Sequence, residues 1–133
     1  MADETQREGV AAAMRRINDA WLGGHVDDLA AMVHPDIVMV FPGFAGRAQG
    51  REGFLAGFRD FCENAIVHDF RLDDEQIDVA GETAVVSLRY EMLYERSGKR
   101  YRATGRDLWV FERDGPAWLA VWRTMLDLDE NPA

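Results

Sequence analysis

Residues 101–111 read Tyr-Arg-Ala-Thr-Gly-Arg-Asp-Leu-Trp-Val-Phe, a segment with the composition of a β-strand. Side chains alternate between the two faces of a strand. One face therefore carries Tyr101, Ala103, Gly105, Asp107, Trp109 and Phe111, and the other carries Arg102, Thr104, Arg106, Leu108 and Val110. An aspartate on an aromatic face costs free energy unless it has a partner or a chemical role. Asp107 is therefore the first candidate for a functional residue.

The composition is that of an ordinary globular protein. The chain has 133 residues, of which 47% are hydrophobic and 29% charged, and we expect one domain spanning residues 1–133. The net charge of −9 argues against nucleic acid or an anionic membrane as partner, because phosphate binding needs local positive charge. The polar N-terminus has no signal-peptide core and no apolar run reaches membrane length, so we expect a cytoplasmic protein.

The clustered basic residues, the cysteine and the histidines are side chains that often carry function, and we interpret them here as structural. Seven basic residues lie between Arg89 and Arg113, and pairing with carboxylates on a sheet face is a simpler explanation than an anion site. Cys62, the only cysteine, falls on the apolar helical stripe of Phe54 and Phe58, as expected for a buried thiol. The three histidines lack metal-ligand spacing. We therefore predict no metal and no cofactor.

The first half of the chain has mainly helical periodicity. Apolar residues recur at helical steps from Val10 to Trp21 and predict a helix over residues 5–22, which the glycine pair at 23 and 24 ends. A short second helix is predicted over 26–33 and a third over 51–64. Between them lie an apolar strand over 37–41 and a glycine-rich loop over 43–50.

After residue 64 the period changes to two. Strands are predicted over 67–79, 83–95, 100–112 and 117–128, with a bulge or interruption near Asp73 and glycine-containing turns between the strands. The element order is therefore two helices, a strand, a helix and a four-stranded meander. This order predicts an α+β fold with the helices on one face of a curved antiparallel sheet.

Four segments together resemble a known superfamily. They are Trp-Leu-Gly-Gly-His-Val-Asp-Asp-Leu at 21–29, His-Pro-Asp at 34–36, Gly-Arg-Glu-Gly at 50–53 and Gly-Arg-Asp-Leu-Trp-Val-Phe at 105–111. In this order and spacing the chain resembles the nuclear transport factor 2-like superfamily, which includes SnoaL-like cyclases and ketosteroid isomerases. The resemblance implies a cone-shaped, cystatin-like fold with about three N-terminal helices packed on the concave face of a curved antiparallel sheet. It also implies a pocket between helices and sheet, and a homodimer through the opposite sheet face.

The resemblance to ketosteroid isomerases is incomplete at the catalytic positions. Those enzymes have a general base at the end of the first strand before a proline, where this chain has Phe41. Their oxyanion-hole tyrosine on the first helix corresponds to Ile17, and their oxyanion-hole aspartic acid corresponds to Asp107. Ketosteroid isomerase activity itself is therefore not expected. In that family an apolar site keeps the acid neutral, and burial of Asp107 would favour the same form.

Asp107 and His68 are the candidate catalytic residues. His68 shares an alternating strand face with Ile66 and Phe70, which predicts an inward position from which the imidazole pairs with Asp107. The alternative is a hydrogen-bonded histidine at the rim or on the surface. The candidate ligand-binding residues form an apolar wall suited to an apolar or aromatic small molecule: Trp21, Met39, Phe41, Phe44, Phe58, Tyr101, Trp109 and Trp122.

Three functions are consistent with this pattern. The first is a cofactor-independent acid–base enzyme (an isomerase, cyclase, dehydratase or hydrolase) acting on a hydrophobic small molecule, in which Asp107 is the acid or hydrogen-bond donor and His68 or a tyrosine assists. The second is a non-catalytic binding protein that uses the same pocket. The third is a dimerisation module whose interior is filled by its own side chains. An open cavity that reaches Asp107 and leaves polar groups unsatisfied would favour the first.

Overall fold

The computed structural model describes residues 2–133. The elements in chain order are α1 (Ala2–Leu22), a 3₁₀ helix (Val26–Ala31), β1 (Val33–Val40), a 3₁₀ turn (Pro42–Phe44), β2 (Arg47–Gln49), α2 (Arg51–Asn64), β3 (Ala65–Ala80), β4 (Thr83–Arg96), β5 (Lys99–Asp114) and β6 (Ala117–Pro132). The helices pack on a curved, unclosed sheet of six strands, which confirms the α+β fold class. No helix in this described range combines the length and the apolar character needed to cross a membrane.

The sheet order is β2-β1-β6-β5-β4-β3. The predicted antiparallel meander of β3 to β6 is confirmed, but β1 pairs with β6 in parallel. The sheet is therefore mixed and not wholly antiparallel. β1 and β6 are far apart in sequence, so no hairpin turn forces them to run in opposite directions.

Two predicted boundaries near the first strand are corrected. The second helix ends at Ala31 as a 3₁₀ helix, and the strand already begins at Val33, before Pro35. Val33 and Ile37 are fully buried, and the pairing of β1 with β6 is irregular between Val33 and Val38. A proline lacks the N–H that a regular ladder needs, so this irregularity accommodates Pro35 inside the strand.

α1 and α2 cover the inner face of the sheet. α1 buries Val10, Met14 and Ile17 completely or nearly so, as its helical periodicity predicts. α2 begins at Arg51 and ends at Asn64, as predicted, and buries Phe54 and Leu55. Each fully buried side chain of this size contributes about 1.5–3 kcal/mol to folding, so both helices are held mainly by this apolar contact.

β-bulges in β3 and β6 change which side chains face inward. The register shifts between Val67 and Asp69 on β3, which leaves His68 as the extra residue. On β6 it shifts between Ala120 and Trp122, and again between Met125 and Asp127. A one-residue bulge moves the following side chains to the opposite face. The alternation predicted from sequence therefore changes phase at these points.

Candidate functional site

A cavity of about 350 Å³ lies between the two α-helices and the inner face of the sheet. Its wall is mostly apolar, and much of that wall is aromatic. The polar and charged residues on it are Asn18, Tyr90, Tyr94, Arg96, Asp107, Arg123 and Glu130. An apolar cavity with a few converging polar groups is the usual form of a small-molecule site.

Asp107 and Arg123 form a buried ion pair on this wall. Nε and Nη2 of Arg123 donate to Oδ2 of Asp107 at 3.0 and 2.7 Å. The two side chains are only 12% (Arg123) and 4% (Asp107) exposed. The guanidinium carbon also lies 5.1 Å from the ring centroid of Trp109 and 5.7 Å from that of Phe58. The cation is therefore held by a carboxylate and by two aromatic faces.

The pair also determines which oxygen of Asp107 is occupied. A guanidinium can only donate hydrogen bonds, and it stays protonated in proteins. Two of its N–H groups contact Oδ2, so Arg123 stabilises Asp107 as a carboxylate. Oδ1 is also buried, and no side chain or backbone group of the described chain hydrogen-bonds to it.

Asn18 places an amide on the helical wall of the cavity. The residue is 8% exposed, and its Oδ1 accepts a 3.0 Å hydrogen bond from Nε1 of Trp21. Among residues 2–133, none provides a hydrogen-bond partner for the buried Nδ2. In the described part of the chain, the cavity wall therefore carries a buried, unpaired donor on Asn18 and a buried, unpaired acceptor on Asp107.

Two tyrosines on β4 add hydroxyl groups. Burial, with a smaller contribution from the Asp107 carboxylate, raises the pKa of Tyr90 to about 12. Burial also raises the pKa of Tyr94, whose hydroxyl donates to Oε2 of Glu130. Both hydroxyls therefore stay protonated at neutral pH, and that of Tyr94 is already engaged by Glu130. Tyr90 lies against Gly105, where a Cβ atom would come within 2.8 Å of the Tyr90 oxygen.

Most of the predicted wall lies where it was expected. Trp21, Met39, Phe41, Phe58 and Trp109 line the cavity together with Asp107. These residues come from α1, β1, the position that follows β1, α2 and β5, so no local sequence motif marks the site.

Three predicted wall residues lie elsewhere. Phe44 is 77% exposed in the 3₁₀ turn, and Tyr101 stacks on Tyr94 beside a second, more open depression. Trp122 donates a 2.6 Å hydrogen bond to Thr124 on the other face of the sheet. The bulge between Ala120 and Trp122 explains this last error, because simple alternation would have kept Trp122 inside.

His68 is not brought to Asp107. It is exposed and its Nε2 lies 3.3 Å from Oε1 of Glu95. The bulge at His68 puts Val67 and Phe70 on the partly buried face, whereas Ile66 is 60% exposed. The predicted inward position of His68 is therefore corrected.

Arg123 and Asn18 were not identified from the sequence. Arg123 interrupts an apolar stretch of β6 just as Asp107 interrupts β5, so the same reasoning about buried charge marks both. Simple alternation, however, places Arg123 on the face opposite Trp118 and Ala120, and only the bulge turns it inward. Asn18 carries a weaker signal, since a single polar residue beside an apolar helical stripe is common.

The residues interpreted as structural have ordinary partners. Sγ of Cys62 donates to the Trp21 carbonyl at 3.2 Å, and burial raises the pKa of its thiol, which disfavours a nucleophilic thiolate. Several arginines pair with carboxylates, as predicted: Arg96 with Asp60, Arg102 with Glu91, and Arg106 with Asp127. Within the described residues, no group of three or more His, Cys, Asp or Glu side chains could hold a metal ion.

Comparisons with known proteins agree with the fold. Residues 14–120 match the sequence model of the SnoaL-like domain. A ketosteroid isomerase-like protein from Erwinia carotovora atroseptica is similar in structure (TM-score 0.78, 15% identity, 91% of this chain and 95% of that chain). So is a proposed dehydratase of the nuclear transport factor 2-like family from Streptomyces avermitilis (0.74, 22%, 93% and 96%).

A proposed aromatic ring hydroxylase from Novosphingobium aromaticivorans is also similar (TM-score 0.83, 18% identity, 96% of this chain and 92% of that chain). No curated protein matches the chain. These structural neighbours carry different functional names on one architecture. The likeness therefore establishes the fold and leaves the reaction to the residues of the site.

Proposed function

The chain belongs to the SnoaL-like domain family, and on that premise we propose that its cavity binds an apolar small molecule on which Asp107 acts as a general base. The observation that carries the proposal is the arrangement of the Asp107 carboxylate. Arg123 fixes Oδ2, while Oδ1 has no partner in the described chain. A positioned carboxylate with a free oxygen is suited to accept a proton from a bound molecule.

The cavity favours a compact apolar substrate. Its volume of about 350 Å³ is at the small end of known ligand sites, and aromatic rings from α1, α2 and the sheet surround it. Trp21 contacts Phe58 and Phe70, which gives the cavity a continuous aromatic wall. A molecule of one or two rings fits this description better than a charged metabolite.

Arg123 has a positioning role in this mechanism. It holds the carboxylate in one orientation and stabilises its charge until Oδ1 takes the proton. The Phe58 and Trp109 rings that cover the guanidinium also exclude water from it. Proton abstraction of this kind is general base catalysis, and the dehydratase named among the structural neighbours is consistent with it.

A non-catalytic binding protein is the alternative. It is favoured by one observation: none of the described residues that line the cavity is a histidine or a cysteine. A self-filled dimerisation module is less favoured, because the cavity is open and two of its polar residues keep unsatisfied atoms.

Proton exchange tests the base directly. We expect the protein to accelerate deuterium incorporation at the activated methylene of phenylacetone in heavy water, measured by NMR, on the order of 10²-fold over buffer. Asp107→Asn should abolish the acceleration. Asp127→Asn, which alters an exposed aspartate on the same sheet, should retain it. Equal rates with and without the wild-type protein would overturn the catalytic proposal.

Binding is measured separately with 4-nitrophenol, whose absorbance reports its ionisation. Beside the Asp107 carboxylate the neutral phenol should bind best, so its apparent pKa should rise on binding. In Asp107→Asn the unpaired Arg123 cation should favour the phenolate and lower that pKa instead. Bound phenol with no proton exchange would support the non-catalytic alternative. An identical ionisation in both proteins would contradict a role for Asp107 in either function.

A further inference from the structure

Asn18 is an unusual residue for its position on α1. Its helical neighbours Met14, Ile17 and Trp21 are buried, and Asn18 itself is 8% exposed on the cavity wall. A buried amide costs free energy unless its hydrogen-bonding groups are paired. Within residues 2–133, only the oxygen end of this amide has a partner.

The Trp21 indole determines which end is paired. An indole N–H can only donate, so the atom of Asn18 that it contacts must be the amide oxygen. This fixes the orientation of the amide and leaves Nδ2 as a donor. On the sheet side, Arg123 can likewise only donate, so it leaves Oδ1 of Asp107 as an acceptor. Neighbouring residues therefore determine that one unpaired atom is a donor and the other an acceptor.

We infer that Asn18 is a ligand-binding residue whose Nδ2 donates to an acceptor oxygen of the molecule that occupies the cavity. The inference rests on the proposed function, because the same molecule contacts Asp107. Nearly all buried polar groups in proteins have a partner, and Nδ2 of Asn18 finds none in the described chain. A ligand with an oxygen acceptor supplies that partner.

The two groups together define a class of ligand. It has an apolar skeleton, a hydroxyl or similar donor for Asp107, and a carbonyl or similar oxygen acceptor for Asn18. A plain hydrocarbon would leave both atoms unpaired, and a carboxylate placed at Asp107 would meet a like charge. A ring that carries both a hydroxyl and a carbonyl satisfies both positions.

The three isomers of hydroxyacetophenone test this class, because they hold a hydroxyl and a carbonyl at three different separations. Phenol is the reference that lacks the carbonyl. Using calorimetry on the full chain, we expect at least one isomer to bind about tenfold more tightly than phenol, the factor that one net hydrogen bond of about 1.4 kcal/mol supplies. In Asn18→Leu this advantage should disappear, while phenol affinity should change by less than about twofold.

Asn18→Asp is the second variant. It keeps an oxygen for the Trp21 indole and a similar volume but removes the amide donor, so it should lose the same advantage. Asn64→Asp is the matched control, since Asn64 is exposed at the end of α2 and its side-chain amide donates to Asp60, away from the cavity. It should bind phenol and all three isomers as the wild type does.

Infrared spectroscopy of the bound ketone separates a direct contact from a structural role. A hydrogen bond from Asn18 should lower the carbonyl stretching frequency in the wild type and in Asn64→Asp, and not in either Asn18 variant. If phenol binds but no isomer gains affinity, or if the gain survives in both Asn18 variants, this inference is overturned and the proposed function stands. If the wild-type protein binds neither phenol nor any isomer, both are overturned.

Discussion

Two aspartate–arginine pairs connect β5 to β6, and they differ mainly in their surroundings. Asp107 pairs with Arg123 on the inner face, and Arg106 pairs with Asp127 on the outer face. Both pairs have a closest N–O distance of 2.7 Å. The outer side chains are 61% (Arg106) and 51% (Asp127) exposed, whereas the inner ones are 12% and 4% exposed. Two ion pairs with the same contact distance can therefore differ in their contribution to stability and in their suitability for chemistry.

Water explains the difference. The outer pair is screened by solvent, and such pairs contribute little to stability. The inner pair has lost most of its hydration, so each charge depends on its partner and on the rings that cover it. A protein gains little stability from such a pair compared with an apolar replacement. Its presence on a cavity wall is thus better explained by chemistry than by folding.

Arg123→Met should have the largest effect on stability. It would leave the Asp107 carboxylate buried without a cation, which typically lowers the free energy of unfolding by about 3–5 kcal/mol. Urea denaturation measures this directly. The double variant Asp107→Leu/Arg123→Met removes both charges and should recover most of the loss.

The matched control is Arg106→Met on the outer face. Its partner Asp127 remains in water, so the change in unfolding free energy should be small. If both arginine variants lost the same stability, the contrast between the two pairs would be wrong.

Gly105 precedes Arg106 on β5 and should be the next most sensitive position. A Cβ atom there would lie 2.8 Å from the Tyr90 hydroxyl and 2.9 Å from the Asp127 carbonyl oxygen, which belongs to backbone and cannot rotate away. Gly105→Ala should therefore lower the free energy of unfolding by about 1–3 kcal/mol.

Gly57→Ala on α2 is the control. No atom lies within 4 Å of its added Cβ, and alanine favours a helix, so stability should rise slightly. Equal behaviour of the two variants in thermal denaturation would show that this close approach does not constrain the sheet.

The sequence predicts the fold well and the site only in part. Helical and strand periodicity locate α1, α2 and the four-stranded meander, because these elements bury long, regular apolar stripes. The same alternation identifies Asp107 as an inward residue, since β5 has no bulge between Lys99 and Asp114 in its pairing with β4. Asp107 is therefore predictable from the sequence, whereas Asn18, on the equally regular α1, is not.

Bulges explain the errors at His68, Trp122 and Arg123. The bulge on β3 turns the His68 side chain outward. The bulge on β6 turns Trp122 to the outer face and Arg123 to the inner face. A bulge is stabilised by contacts with neighbouring strands and has no reliable local signature when glycine is absent. Arg123, the partner of Asp107, directly follows the predicted wall residue Trp122, and simple alternation places it on the outer face.

Tyr90 should make stability depend on alkaline pH. Its pKa is raised from 10.0 to about 12 in the folded protein, mainly by burial and then by the Asp107 carboxylate. The unfolded chain releases this proton first, so the contribution is complete below about pH 10 and is lost as the pH rises towards about 12. Phenolate absorbance of the wild type minus that of Tyr90→Phe should show one late titration. If the difference between the two titration curves showed the ordinary tyrosine pKa of 10.0, Tyr90 would not be buried beside the inner pair.

The outer pair should produce the smallest effect, in acid. The Arg106 guanidinium lowers the pKa of Asp127, first through its side-chain hydrogen bond. Because the folded pKa lies below the unfolded value of 3.8, the stabilisation is present at neutral pH and is lost as the pH falls through the folded pKa. The difference in unfolding free energy between wild type and Asp127→Asn should therefore shrink in acid, and added salt should weaken it at neutral pH. Salt should leave the loss in Arg123→Met nearly unchanged, because the inner pair is mostly buried and buried pairs are screened much less than exposed ones. A salt dependence shared by both variants would show that Asp107 is hydrated, and Asp107 would then lose the burial that distinguishes it from Asp127.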